Sequence, residues 1–447
     1  MTSNLDLLDW LLDKTRSFGA DAADAVMFET TDISCSRRMG KPEGLERSEN
    51  EAIGLRGWCG KSQAIVSSTD FSKDALQELA ERCVAMAKIT PPDPDSALAS
   101  EQEFATQFAD LDLCDNQEPS SEWMVAQCAE AEEAALAVKG ITNSEGADVN
   151  YSNSKVHLAI DNGTSRFNQL YPASHFSLSV SVLAGTGVDM QRDYDYSTTR
   201  HKADLGNGSA IGKEAAERTL KRLHPRKIPS SQQPIIFDPR VSRQLLSVFA
   251  GAISGSAIAR GSSFLKDDMG KAIFSNQVTI IDDPHRVRGL GSRPFDAEGV
   301  ANHKHTLVEH GELKSWLLDI RTGNKLGLKT TGHASRGLAS PPSPSTTNLY
   351  MENGSISPDE LIRSVGTGLY VTETFGMGIN SVTGDYSQGV SGFWIENGEL
   401  AYPVSEITIA GHLKAMFSHL VVANDLVFRY ATNAPTVCIE SMTIAGT

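Results

Sequence analysis

Apolar residues recur at helical spacing in four segments of the N-terminal half of the chain. These segments cover residues 5–18, 71–89, 121–140 and 209–223. Pro91 and Pro92 follow the second segment, where a helix would have to end. The pattern therefore predicts four amphipathic helices in this half of the molecule.

Alternation of apolar and polar residues predicts strands between these helices. The alternation is clearest at residues 175–183, where Phe176, Leu178, Val180 and Val182 fall on one face. Shorter alternating runs cover residues 53–58, 64–67 and 155–160. An antiparallel sheet with one solvent-exposed face and helices on the other face accounts for this arrangement.

Residues 224–234, HPRKIPSSQQP, have three prolines and no periodicity, so they are interpreted as a linker between two domains. The first predicted domain is an α+β unit of residues 1–228, and the second is a β-rich unit of residues 235–447. The acidic stretch 92–118 also lacks periodicity and is interpreted as a connecting segment within the first domain.

Hairpin signals between strand-like runs dominate the C-terminal half. Glu, then Asn or His, then Gly occurs at residues 309–311, 352–354 and 396–398, and the Asn397-Gly398 pair predicts a tight hairpin with positive φ at both residues. Further strands are predicted at residues 407–410 and 437–444. Residues 383–394, TGDYSQGVSGFW, are interpreted as an extended loop lining a cleft, because their glycines let the backbone approach a ligand closely.

One long helix is predicted within this half, over residues 239–260. Asp238 can cap its first turn, Pro239 suits the first helical position, and Gly261 supplies a stop. Gly251, Gly255 and Ala259 would form a groove along this helix. The predicted fold class is α+β, with an N-terminal antiparallel sheet and helices followed by a mainly β C-terminal domain around this central helix.

Composition narrows the classes of function. The 447 residues are 40% hydrophobic and 21% charged, as in ordinary globular proteins, and the formal charge of -16 argues against direct contact with nucleic acid. No run approaches the roughly 18 apolar residues of a membrane span, and Asp6 and Asp9 lie where a signal peptide would be basic. Six scattered cysteines without a CxxC pair indicate reduced thiols, so a cytoplasmic protein is expected.

Two groups of residues could carry chemistry. His303 and His305 alternate along a predicted strand and could bind a metal, although no third ligand accompanies them and a solvated strand face is the favoured interpretation. Residues 331–337, TGHASRG, bring His333, Ser335 and Arg336 together in a loop. A nucleophilic Ser–His pair and a long ordered connection remain equal interpretations of this loop.

Six ordered blocks of sequence resemble the TldD/TldE family, in particular its TldE branch, also called PmbA. They are FAGAISGSAIARGSSFL at 249–265, DDP at 282–284, PFDAEGV at 294–300, TGHASRG at 331–337, TGDYSQGVSGFWIENGE at 383–399 and YPVSEITIAG at 402–411. The likeness continues more weakly into the N-terminal half, as at residues 45–58.

In that family, TldD resembles a zinc peptidase with HExxxH on a helix and a cysteine as third ligand. Carried over, the resemblance places the first His, the Glu and the second His on Gly251, Ala252 and Ser256. It therefore implies a chain without catalytic residues or metal, serving as the non-catalytic subunit of a cytoplasmic zinc metalloprotease whose zinc lies on a TldD-like partner. Cys438 is expected to be a buried structural thiol.

The resemblance also implies unfolded proteins or peptides as substrates, including antibiotic-peptide precursors and antitoxins. The residues expected to line the substrate cleft are Gly251, Gly255, Ser256, His333, Arg336, Ser387, Gly389 and Ser391. An autonomous hydrolase that uses the His333/Ser335 loop or the His303/His305 pair is one alternative, and a regulator of DNA gyrase is another. No membrane partner is expected, and a homodimer is a possible state of the isolated chain.

Overall fold

A six-stranded antiparallel sheet and four helices build the N-terminal region of the computed structural model, which describes residues 4–376 and 378–446. The helices are α1 (Asn4–Ser17), α2 (Lys73–Ile89), α3 (Ser121–Leu136) and α4 (Gly208–Lys221). The strands are β1 (Ala22–Arg38), β2 (Lys41–Cys59), β3 (Ser62–Ser68), β4 (Ile141–Asp161), β5 (Arg166–Ala184) and β6 (Gln191–Thr199), in the spatial order β3-β2-β1-β4-β5-β6.

The four predicted helices are confirmed, but strand β1 has no counterpart among the predicted strands. Its residues from Ala23 to Met27 are buried in succession. Ala25 and Met27 pack against residues of α1 and α2, while Val26 faces the opposite side, against Phe295. A strand covered on both faces shows no alternation, so its sequence does not carry the period that identifies a half-exposed strand.

Two large sheets, a small two-stranded sheet and a central helix build the C-terminal region. Its helices are α5 (Pro239–Ala252), α6 (Gly255–Ala259), α7 (Ile320–Leu326), α8 (Pro358–Val365) and α9 (Leu413–Ser418). Its longer strands are β7 (Ser231–Phe237), β9 (His305–Glu309), β14 (Gly368–Phe375), β15 (Asp385–Glu396), β16 (Glu399–His412) and β19 (Val437–Ala445). The shorter strands are β8 (Ile280–Asp282), β10 (Glu312–Leu313), β11 (Ala334–Ser335), β12 (Ser343–Pro344), β13 (Leu349–Met351), β17 (Leu420–Val422) and β18 (Thr432–Asn433).

The largest of these sheets closes on itself. Its order is β16-β15-β14-β7-β19-β17, and β16 also pairs with β19, so five of the strands form a small barrel. The second large sheet has the order β10-β9-β8-β13-β18, and β11 pairs with β12 in the two-stranded sheet. Helix α5 packs into the same apolar core, where the Phe249 ring lies 5.3 Å from that of Phe274 and 6.4 Å from that of Phe417. The predicted α+β class is confirmed.

Two of the three turn predictions are confirmed. Asn397 and Gly398 have φ values of 54° and 76° and join β15 to β16, and residues 310 and 311 join β9 to β10 in the same way. The hairpin predicted at 352–354 is wrong. There the chain leaves β13, and the Gly354 N–H donates to the Ala423 carbonyl, so this glycine serves a close approach between segments distant in sequence.

Residues 385–394 of the predicted cleft loop form strand β15, which lies between β14 and β16, so that interpretation was wrong. The glycines allow close packing within the sheet instead. A Cβ at Gly392 would lie 1.9 Å from the Tyr370 carbonyl oxygen, and one at Gly389 would lie 2.5 Å from the Phe375 ring. Glycine content alone therefore did not distinguish a loop from a crowded strand.

The predicted connections also differ from the structure. Strand β7 begins at Ser231, inside the predicted linker. The acidic stretch 92–118 reaches across to the C-terminal region, where the Ala105 N–H donates to the Gly299 carbonyl at 2.9 Å. This stretch is therefore not confined to the first predicted domain. Within the described residues, every helix is too short or too polar to cross a membrane.

Candidate functional site

The helix predicted over residues 239–260 is two helices with a break between them. Asp238 accepts a hydrogen bond from the Arg240 N–H at 2.9 Å and Pro239 begins α5, as expected. The helix ends at Ala252, however, because the next residues pair with Leu317. The Leu317 N–H donates to the Ile253 carbonyl at 3.1 Å, and the Leu317 carbonyl accepts from the Gly255 N–H at 2.8 Å.

This break removes the predicted glycine groove. Gly251 lies in the exposed last turn of α5, and apart from the backbone of its own helix and its chain neighbours no described atom lies within 4 Å of where a Cβ would stand. Gly255 is buried at the start of α6, where a Cβ would lie 2.5 Å from the Thr322 hydroxyl oxygen and 2.7 Å from a Leu318 methyl group. The two glycines therefore serve different purposes, and a continuous row of small residues does not exist.

The same substitution at these two glycines is expected to give opposite results. Gly251→Ala adds a methyl group in open space on a helix, so the free energy of unfolding should stay constant or rise by up to about 1 kcal/mol. Gly255→Ala forces Thr322 and Leu318 apart and should lower that free energy by about 1–3 kcal/mol. Urea denaturation of both variants tests this, and equal effects would contradict the assigned packing.

Positions 251, 252 and 256, where the family resemblance places a metal site, do not offer metal ligands. Gly251 and Ala252 have no side-chain donor, Ala252 is buried in the core, and Ser256 lies half-buried on α6. Within residues 4–376 and 378–446, no group of three or more His, Cys, Asp or Glu side chains could hold a metal ion. Cys438 is buried in β19, and burial raises the pKa of its thiol to about 12. The donor set at this place does not fit zinc.

His333 is buried and both of its ring nitrogens have partners. Nδ1 lies 2.8 Å from the Thr331 hydroxyl, and Nε2 lies 3.3 Å from an Asp282 carboxylate oxygen. In the part of the chain that the structure describes, no hydrogen bond joins this ring to the Ser335 hydroxyl. A nucleophilic pair requires that bond, so the arrangement at 331–337 is that of an ordered connection.

Histidines distant in sequence meet beside this loop. The ring centroids of His303 and His305 are 4.0 Å apart, and those of His305 and His333 are 5.1 Å apart. Burial, assisted by the neighbouring His333, lowers the pKa of His305 to about 4. The predicted solvated face therefore holds for His303 but not for His305, whose Nε2 is buried without a partner among the described residues.

Arg336 lies in the interior, between the N-terminal and C-terminal regions. Its Nη1 donates to an Asp24 carboxylate oxygen at 2.6 Å, and Arg56, stacked 4.4 Å from the Trp58 ring, contacts the same carboxylate. Burial by itself would raise the pKa of Asp24, but the Arg336 and Arg56 guanidinium groups hold it below its ordinary value. Asp24 and Arg56 carry no signal in the sequence, because each lies in a long strand with no local motif.

The remaining predicted cleft residues occupy every second position along part of β15. Ser387 is exposed, Gly389 lies against Phe375, and Ser391 is buried. Of the eight predicted residues, the exposed or half-buried ones are Gly251, Ser256, Ser387 and Gly389, and the buried ones are Gly255, His333 and Ser391. Arg336 is half-buried as a whole residue, but its side chain is only 1% exposed. A role in lining a substrate cleft stays a prediction for each of them.

Three family models match consecutive parts of the chain. They are the PmbA/TldA metallopeptidase domain 1 at residues 23–87, the central domain at residues 114–223 and the C-terminal domain at residues 230–446. Together they cover both halves of the fold described above.

Relatives and solved structures match over nearly the full length. Metalloprotease PmbA of Escherichia coli O157:H7 is 38% identical over 96% of this chain and 93% of its own, and the PmbA homologue of Haemophilus influenzae is 35% identical over 95% and 92%. A Bacteroides thetaiotaomicron structure, described as a candidate modulator of DNA gyrase, has a TM-score of 0.92 at 27% identity, and each chain is fully covered. TldE from Thermococcus kodakarensis has a TM-score of 0.86 at 20% identity, covering 98% of this chain and 100% of its own, and shows the fold. The chain belongs to the PmbA/TldD metallopeptidase family.

Proposed function

We propose that this chain is the non-catalytic subunit of a two-chain metalloprotease, in which a TldD-like partner holds the zinc. The observation that carries the proposal is the end of α5. Gly251 and Ala252 occupy the positions of the first histidine and the glutamate in the HExxxH pattern, and neither can bind a metal or move a proton. If the complex is an active metallopeptidase, the metal ligands and the general base must therefore come from another chain.

The exposed face of α5 supports a role in shaping a cleft. Gln244, Ser247 and Gly251 are exposed along one side of this helix, and Thr374 of the neighbouring strand β14 contacts Gln244 at 2.7 Å. Phe375 follows with nearly half of its surface exposed. A flat helical face beside strand ends suits an extended peptide, which can add main-chain hydrogen bonds to a strand and lay side chains on apolar surface.

The proposed complex acts in the cytoplasm on unfolded proteins or on peptides, including precursors of peptide antibiotics and antitoxins. This chain contributes a wall of the cleft and no metal ligand. The isolated chain can form a homodimer through the surface that the partner would otherwise cover, and it needs no membrane and no nucleic acid.

Purification of this chain alone, of its TldD-like partner alone and of the two together tests the proposal. Zinc content and cleavage of an unfolded protein such as casein are measured for each preparation. We expect zinc on the partner and in the complex, none in stoichiometric amount on this chain, and full peptidase activity in the complex only. Replacing the glutamate of the partner's HExxxH by glutamine is the matched control, which should abolish cleavage but not assembly.

Stoichiometric zinc on this chain alone would overturn the proposal, and so would full activity of the partner without it. The alternative of an autonomous hydrolase has lost its main support, because His333 uses both ring nitrogens elsewhere. A regulator of gyrase remains the other alternative, and cleavage by the complex without any effect on gyrase supercoiling argues against it. The charge of -16 disfavours direct DNA contact by this chain.

A further inference from the structure

A cavity of about 210 Å³ lies between the N-terminal sheet and the C-terminal region. Its walls are mostly apolar and come from strands β1, β4 and β5 on one side and from residues 293–297 on the other. The apolar members are Val26, Phe28, Val156, Leu158, Tyr171 and Phe295. Two arginines, Arg293 and Arg336, also line it. An apolar space with a small number of buried cationic groups is typical of a ligand site.

Arg336 has an unused hydrogen-bonding edge. Its side chain is 1% exposed, and its Nη1 donates to Asp24, but its Nε and Nη2 have no partner among the described residues. These two nitrogens form the side-on fork of a guanidinium, which matches the two oxygens of a carboxylate. Arg56 uses the same pair of nitrogens on Asp24. Unpartnered buried N–H groups of a cation are costly unless a ligand or water accepts them.

The charges around Arg336 do not balance. Asp24 is one carboxylate shared by two guanidinium groups. The next acid, Glu298, contacts neither guanidinium group within ion-pair distance, and burial and the neighbouring Asp296 carboxylate raise its pKa well above its ordinary value. Asp24, Arg56 and Arg336 together therefore carry one net positive charge, and Arg336 also lines the cavity.

The other polar groups of the cavity wall leave room for an anion. Asp296 lines the cavity, but its carboxylate already accepts the N–H groups of Glu298, Val300 and Ala334. Arg293 donates through Nη1 to the Ala334 carbonyl, and its Nε has no partner in the described part of the chain. Even with Asp296 ionised, the two guanidinium groups give the wall a net positive charge.

We propose that this cavity binds a single carboxylate attached to an apolar group. The Nε and Nη2 of Arg336 would hold the two carboxylate oxygens, and the apolar body would lie against Phe28, Leu158 and Phe295. The volume suits a group of about the size of a benzene ring with a short chain, since a ring fits a cavity of roughly 150 Å³. The inference rests on this cavity and not on the proposed protease complex. The carboxylate belongs either to a small free acid or to the C-terminal residue of a peptide.

Calorimetric titration of the full chain with 3-phenylpropionate tests the inference. Its amide, 3-phenylpropanamide, has the same shape without the charge and serves as the matched probe. We expect saturable binding of the acid and binding of the amide that is weaker by about tenfold or more, as for the loss of charge-assisted hydrogen bonds. Equal binding of acid and amide, or no saturable binding of the acid at millimolar concentration, would refute the site.

Two variants test whether the acid binds in the cavity at Arg336. Arg336→Lys keeps a positive charge beside Asp24 but removes the fork, so affinity for the acid should fall about tenfold or more. Ala297→Leu enlarges a side chain of the cavity wall and keeps both arginines, so it should weaken binding about tenfold or more even if the first variant folds poorly. Arg288→Lys, at an exposed arginine outside the cavity, is the control and should bind as the wild type does. Unchanged affinity in the Ala297 variant would overturn the proposal.

A peptide probe separates the two sources of the carboxylate. N-acetyl-Ala-Phe with a free C-terminus is compared with the same peptide as its C-terminal amide. Tighter binding of the free peptide than of 3-phenylpropionate assigns the cavity to peptide C-termini. Binding of 3-phenylpropionate with no binding of the peptide assigns it to small acids, and both results uphold a carboxylate site.

Discussion

Replacing Asp24 by alanine is expected to lower the free energy of unfolding by about 3–5 kcal/mol. The carboxylate contacts Arg56 and Arg336, and all three side chains are at most 3% exposed. Without it, two buried guanidinium groups face each other and have lost the carboxylate that both contact. The loss comes from the uncompensated charges that remain more than from the lost hydrogen bonds.

Urea denaturation followed by both circular dichroism and tryptophan fluorescence measures this effect, because Trp58 stacks on Arg56 and reports on the same cluster. Coincident transitions by the two probes are needed for a single free energy. Asp13→Ala is the control, since Asp13 pairs with Arg166 at the surface and should cost less than about 1 kcal/mol. A similar loss of unfolding free energy in both variants would show that Asp24, Arg56 and Arg336 are not arranged as described.

Replacing Phe249 by alanine is the second large change, and it should also lower the free energy of unfolding by about 3–5 kcal/mol. Phe249 is fully buried on α5 and meets the rings of Phe274 and Phe417 edge to face. Its removal leaves a cavity at the centre of the C-terminal core, which the barrel strands around it cannot readily fill. The aromatic contacts add to the loss of buried apolar area.

The matched control lies two residues earlier on the same helix. Ser247 is exposed, and Ser247→Ala should change the free energy of unfolding by no more than about 0.5 kcal/mol. The free energy of unfolding is measured by urea denaturation, and its slope against urea concentration should be the same in both variants. A Phe249 variant as stable as the Ser247 variant would mean that α5 does not pack into the barrel as described. The placement of Gly251 at the exposed end of α5 would then also be unsupported.

Features with a local cause were predictable from the sequence. The start of α5 follows from Asp238 and Pro239, which satisfy or remove N–H groups of the first turn. The β15–β16 hairpin follows from Asn397 and Gly398, which tolerate positive φ. In each case the residues that determine the geometry are the residues that adopt it, so no knowledge of the rest of the fold is needed.

Features with a distant cause were not predictable in this way. Helix α5 stops at Ala252 because Leu317 pairs with the following backbone, and no residue near 252 signals this. The contact between Asp24 and Arg336 joins positions 312 residues apart. The TGHASRG loop could be singled out by its residue types, but the partners of His333 and Arg336, which decide what these side chains can do, lie elsewhere in the chain.

The segment at Leu317 and Leu318 also limits how the family can vary. On one side it pairs with the backbone after α5, and on the other its Leu318 carbonyl accepts hydrogen bonds from the Thr331 and His333 N–H groups. An insertion or deletion here would therefore shift the helix end and the histidine loop relative to each other by a whole residue. We expect the length of the chain at this point to be held constant among homologues, while the surface turns tolerate changes in length.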